Sequence, residues 1–166
     1  MQQRMLIAGV GNIFLGDDGF GVEVVKRLAA ETLPDWVQVA DFGIRGIHLA
    51  YEILDNAYEV TILVDTACRG GEPGTVYLIE PDLDGVDREE CSSPDAHGMQ
   101  PEAVFALLRT LGGMPGRVLI VGCEPAQTAE GMGLSESVNH AVDEAIKLIL
   151  HIVRDEGRVN RVAKNC

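Results

Sequence analysis

The sequence predicts a single α/β domain, a twisted and mostly parallel five-stranded sheet with helices on both faces. Three observations carry that expectation. Short β-branched runs alternate with segments of helical period. The 166 residues are enough for one hydrophobic core and few for two. The 58–65 run, YEVTILVD, is almost continuously apolar, as expected of a strand covered on both sides.

The elements follow in order. Residues 4–10 (RMLIAGV) read as the first strand, and Phe20, Val24, Val25 and Leu28 as the apolar stripe of a helix. Residues 36–41 give the second strand. Ile47, Ala50, Tyr51 and Leu54 then recur at i, i+3, i+4 and i+7, which predicts the buried face of the second helix. Residues 58–65 are the third strand; 74–80, after the Gly70–Gly71 and Pro73–Gly74 turn signals, are the fourth. A polar loop spans about 81 to 98. Pro101 opens a third helix with Val104, Leu107, Leu108 and Leu111 on its apolar side. Residues 116–123 form the fifth strand. Ser135 is a candidate N-cap for a last helix reaching about residue 154, with Val138, Val142, Ala145, Ile149 and Ile152 inward. Residues 1–154 are assigned to the α/β domain and 155–166 to a polar, frayed tail.

Composition narrows the function. The chain carries 13 basic and 26 acidic residues, a net charge of −13. It lacks the basic footprint that displaces counterions from nucleic acid. No apolar run reaches the ~18 residues of a membrane span. The four cysteines, Cys68, Cys91, Cys123 and Cys166, form no C-x-x-C pair and suggest reduced thiols in the cytoplasm.

Open α/β sheets place ligands outside the carboxyl ends of their strands. The first strand leaves into Gly9-Val-Gly-Asn-Ile-Phe-Leu-Gly-Asp-Asp-Gly-Phe-Gly21. This is no dinucleotide fingerprint, because Phe14 stands where the third glycine belongs and Asp17 and Asp18 would repel a pyrophosphate. Asp17 fits a helix-capping role. Asp18 gains interest from Asp65, which ends the apolar third strand where an unpaired charge is costly. Each acid also admits a plain reading as a cap or turn former. His97, ahead of the third helix in Ser92-Ser-Pro-Asp-Ala-His-Gly98, is the third candidate; a loop histidine on its own is ordinarily a surface residue. His48, His140 and His151 fall within helix patterns and are weaker candidates. Two carboxylates and an imidazole suit a divalent transition metal, and three protein ligands leave positions open for substrate. Gly-x-Ser-x-Gly is absent.

Taken together, the Gly9–Gly21 segment, Ile62-Leu-Val-Asp-Thr66, the loop ending in His97-Gly98, Gly43…Gly46 and Val121-Gly-Cys-Glu-Pro125 resemble the hydrogenase maturation proteases. The resemblance covers roughly residues 5–150. It implies an endopeptidase that removes a C-terminal peptide from the large subunit of a nickel–iron hydrogenase once nickel is inserted. It implies that Asp18, Asp65 and His97 are the metal-contacting and catalytic positions. Nickel would arrive with the substrate, and no organic cofactor is expected. The loop holding Asp41, Gly43 and Gly46 would meet substrate, although Gly43-Ile44-Arg45 departs from the family's Gly-Gly-Thr. For the chemistry, metal polarisation of the scissile carbonyl, an aspartate general base and a metal-free aspartic dyad remain open. A non-catalytic nickel carrier or hydrogenase assembly chaperone would use the same three residues, and a binding module without metal is a further alternative.

Overall fold

The computed structural model describes residues 3–83 and 101–164. Five strands, β1 (Met5–Val10), β2 (Val37–Gly43), β3 (Val60–Thr66), β4 (Val76–Ile79) and β5 (Arg117–Cys123), form one sheet in the order β2-β1-β3-β5-β4. All neighbours are parallel except the edge pair β4–β5. Every residue of β1 is buried, as is the apolar run of β3. These are the central strands, covered on both faces, which accounts for their continuous hydrophobicity.

Two separate clusters form the core. On one face, helix α1 (Phe20–Leu28) and the last helix, α4 (Glu136–Lys164), pack Phe20, Val24, Leu28, Val138, Val142 and Ile149 against Met5, Ile7, Ile62 and Val121. On the other, α2 (Gly46–Asn56) and α3 (Pro101–Thr110) pack Leu49, Ile53, Val104, Phe105 and Leu108 against Leu6, Ala8 and Leu63. Covering β1 and β3 on both sides removes their apolar surface from water at about 25 cal/mol per Å².

The chain leaves β1 for α1 on one face and returns through β2 and α2 on the other. The connections therefore diverge beside β1 and β3, the switch point at which doubly wound sheets open a crevice. Gly21 makes the approach of α1 possible. A Cβ there would lie 1.9 Å from the Val64 carbonyl oxygen and 2.5 Å from that of Val10.

Three expectations need correction. The buried stripe of α2 is Leu49, Ala50 and Ile53, whereas Ile47 and Tyr51 are exposed. The i, i+3, i+4, i+7 spacing fitted two overlapping stripes, and α3 covers the other one. On α3, Phe105 is buried in place of Leu111, which is exposed. The last helix does not stop near residue 154 but continues to Lys164. Glu156, in that extension, accepts hydrogen bonds from Gln3 (3.1 Å) and Arg117 (2.8 Å), tying the helix to the start of β1 and of β5.

Candidate active site

The β1–α1 connection determines where Asp18 lies. Gly11 leaves β1 with φ +129°, a conformation open mainly to glycine. A Cβ on it would sit 1.9 Å from the Asp18 carbonyl oxygen and 3.5 Å from Asp65 Oδ1. Any other residue would wedge between the two acids' segments. The Gly11 N–H donates to the Gly43 carbonyl (3.0 Å), joining this connection to the end of β2. Asn12 turns the chain, its Oδ1 accepting from the Phe14 N–H (2.9 Å). A short 3-10 turn, Gly16–Gly19, then carries Asp17 and Asp18.

The two neighbouring aspartates have opposite environments. Asp17 is fully buried. Its Oδ2 accepts from the N–H groups of Ala126 (2.8 Å) and Gln127 (3.0 Å) and from the Ser135 hydroxyl (2.9 Å). Its Oδ1 accepts from the Ser135 N–H (2.7 Å). It is structural, as expected, but it does not cap its own helix: it ties the β1–α1 connection to the loop after β5. Ser135, expected as a helix cap, spends its hydroxyl on Asp17, and its carbonyl accepts from Asn139 N–H (2.8 Å) to start α4.

Asp18 is half-buried and faces the rim. Its Oδ2 accepts from Asn12 N–H (2.8 Å) and its Oδ1 from the Thr66 hydroxyl (3.3 Å). Asp65, also half-buried, precedes Thr66 at the end of β3 and accepts from the Thr66 N–H (2.7 Å). Thr66 thus bridges the carboxylates, donating its N–H to one and its hydroxyl to the other. Burial, reinforced by the Asp18 charge and only partly offset by Thr66, holds the Asp65 carboxyl well above the usual range. Two acids at one switch point, one of them reluctant to ionise beside the other, gain from a shared cation.

His97 lies outside the described residues, so the expected trio is represented by Asp18 and Asp65. Among the described residues no group of three His, Cys, Asp or Glu is arranged to hold a metal ion. His48 is exposed on α2, and His140 and His151 are exposed on α4, with His151 3.2 Å from Asp155. Asp41 and Gly43 end β2 on this rim, Gly43 with φ +51°, and Gly46 begins α2. Arg45 folds back to donate to the Asp41 (2.5 Å) and Phe42 (3.2 Å) carbonyls, which stiffens that loop.

Two polar residues went unassigned by the sequence. Thr66 was legible only as the neighbour of Asp65. Glu124 is buried at the end of β5 and accepts from Arg69 N–H (2.8 Å) and the Tyr77 hydroxyl (2.9 Å). Burial opposes its ionisation, yet the N–H groups of Arg69, Gly70 and Gly71 and the Tyr77 hydroxyl prevail and hold its carboxyl below the usual range. It anchors the loop after β3.

No described thiol is poised as a nucleophile. Burial, with the Asp17 and Glu144 charges, pushes the Cys123 thiol up to about 12. A concavity lined by Leu33, Trp36, Leu150 and Arg158 lies at the amino ends of the strands, remote from Asp18 and Asp65. No helix among the described residues is long and apolar enough to cross a membrane.

Fold and site together define a doubly wound α/β protein with a paired-carboxylate centre at its switch point. The family model of the HycI hydrogenase maturation proteases matches residues 22–152. A Methanocaldococcus jannaschii protein named as a hydrogenase maturation protease is 40% identical over 152 residues, 90% of this chain and 96% of its own. Among solved structures, the Escherichia coli hydrogenase maturating endopeptidase HybD superposes with a TM-score of 0.77 at 27% identity, covering 93% of this chain and 94% of that one. The [NiFe] hydrogenase maturation protease HycI from Thermococcus kodakarensis gives 0.75 at 25% identity, over 92% and 93% of the two chains. The chain belongs to the hydrogenase maturation protease family. It is an endopeptidase acting on a protein substrate, which sets aside the carrier and binding-module alternatives.

Proposed function

We propose that this endopeptidase removes a C-terminal peptide from the large-subunit precursor of a nickel–iron hydrogenase, and that nickel already seated in the precursor is what it recognises. The reading rests on one observation above the others: Asp18 and Asp65 meet across Thr66 at the switch point, where a cation would relieve their repulsion. His97 is the proposed third donor. Carboxylates and imidazole match a divalent transition ion, and the ion belongs to the substrate. An unloaded precursor would then offer the acids nothing to hold and would stay uncut.

Asp18 and Asp65 receive the ion, with Asn12 N–H and the Thr66 N–H and hydroxyl fixing their orientation. Once held, the ion would polarise the scissile carbonyl or a water. One of the two carboxylates would accept the proton of the attacking water. Asp41, Gly43 and Gly46 would line the path of the peptide. The cytoplasm is the proposed compartment.

Histidine variants test the assignment. In cleavage of a nickel-loaded precursor followed by intact-mass spectrometry, His97→Ala should lose activity by at least about 10²-fold. His48→Ala and His140→Ala should retain it. Full activity in His97→Ala would remove that residue from the site.

A further inference from the structure

Two residues of α2 expected to be buried, Ile47 and Tyr51, are exposed, and the stripe they belong to begins at the active-site rim. Ile44 is 58% exposed, Ile47 62% and Tyr51 47%. They stand at i, i+3 and i+7, one stripe along the helix and the residue leading into it. Ile44 follows Gly43, whose carbonyl accepts the Gly11 N–H, so the stripe is continuous with the β1–α1 connection that carries Asp18. Its orientation is fixed: Arg45 is folded onto the Asp41 and Phe42 carbonyls, and Leu49 N–H bonds to the Arg45 carbonyl (3.2 Å).

The composition of the stripe matters as much as its exposure. The chain bears a net charge of −13, yet between Ile44 and Tyr51 there is no acidic residue. The acids of α2 come later, and Glu52 is engaged by the Tyr58 hydroxyl (2.7 Å) and Asn56 (3.1 Å). An apolar, acid-free strip with an aromatic at one end and a catalytic rim at the other has the makeup of a protein-binding surface. A protein substrate extends beyond the segment that enters the site, and the surface beside the rim is where the rest of it would lie.

We propose that Ile44, Ile47 and Tyr51 form the surface on which the body of the protein precursor docks, through an apolar patch beside the segment to be cut. The assignment rests on the functional reading above. The docked patch supplies affinity, and the acids supply chemistry.

Steady-state cleavage of nickel-loaded precursor separates the two roles. Ile47→Glu should raise KM at least tenfold while kcat at saturating precursor stays within about twofold. Tyr51→Ser should follow in the same direction. Met114→Glu alters a residue 86% exposed in the loop after α3 and should leave both constants unchanged. Thermal melting of each variant confirms folding, which substitution at such exposed positions should preserve. An unchanged KM in Ile47→Glu, with the parent active, overturns the docking surface and leaves the proposed function intact. So does a parent that sediments as a dimer and becomes a monomer in Ile47→Glu, since a second copy would then own the stripe. A parent that leaves loaded precursor uncut overturns the functional reading and this assignment with it.

Discussion

Asp17 and Asp18 are adjacent and chemically identical, and their neighbours alone give them different work. Four hydrogen bonds from Ala126, Gln127 and Ser135 fill Asp17's acceptor positions and leave no room for a ligand. Asp18 accepts two and keeps capacity. Asp17→Ala should therefore destabilise the fold, by about 2–4 kcal/mol in urea unfolding, because buried donors lose their acceptor. Asp65 should behave in the opposite way. Its folded-state carboxyl titrates above the unfolded one, so its favourable contribution exists at low pH and disappears as pH rises through the raised value. Asp65→Asn should stabilise the metal-free protein at neutral pH while abolishing cleavage. The stability advantage should shrink on acidification, as followed by melting temperature against pH. The sequence singled out Asp65 at the end of the third strand and Asp18 in the segment by which the first strand leaves, because such sheets place ligands outside the carboxyl ends of their strands. It could not give Asp17's role or Glu124's, since their partners lie more than a hundred residues away or across loops without a pattern.

At the scale of elements, glycine spacing sets the site. Gly21 lets α1 lie against β1 and β3, and Gly11 lets the Asp18 segment close over the end of β1. Gly21→Ala should force α1 outward and cost about 1–3 kcal/mol, with a larger proportional loss of activity because Asp18 moves with the helix. Unfolding by denaturant and cleavage rate, measured on one preparation, check both halves. Strand periodicity was legible throughout, since β1 and β3 are covered on both faces and the run of apolar residues says so. The face of α2 was not. Ile47 and Tyr51 have core chemistry at helical spacing, and only the placement of α3 reveals that Leu49 and Ile53 hold the interior instead. The end of α4 escapes local pattern for a related reason. Its last turns are polar, and the Glu156 contacts to Gln3 and Arg117 that fasten them are invisible to local pattern.

For the whole molecule, the division of labour follows from topology. The switch point between β1 and β3 brings Asp65, on β3, against Asp18, in the 3-10 turn after β1, and the loop after β5 is latched to that turn through Asp17. On the proposed reading the paired acids stand in place of a serine or cysteine nucleophile, and the buried Cys123 thiol offers none. The central claim is that the paired acids read a metal carried by the substrate. Its most direct test is the cleavage rate of one purified precursor in nickel-loaded and nickel-free forms, read by intact mass with the parent, Asp18→Asn and Asp65→Asn proteins. The account predicts that the parent cuts only the loaded form and that both variants leave it whole. Equal cutting of loaded and unloaded precursor by the parent would contradict it.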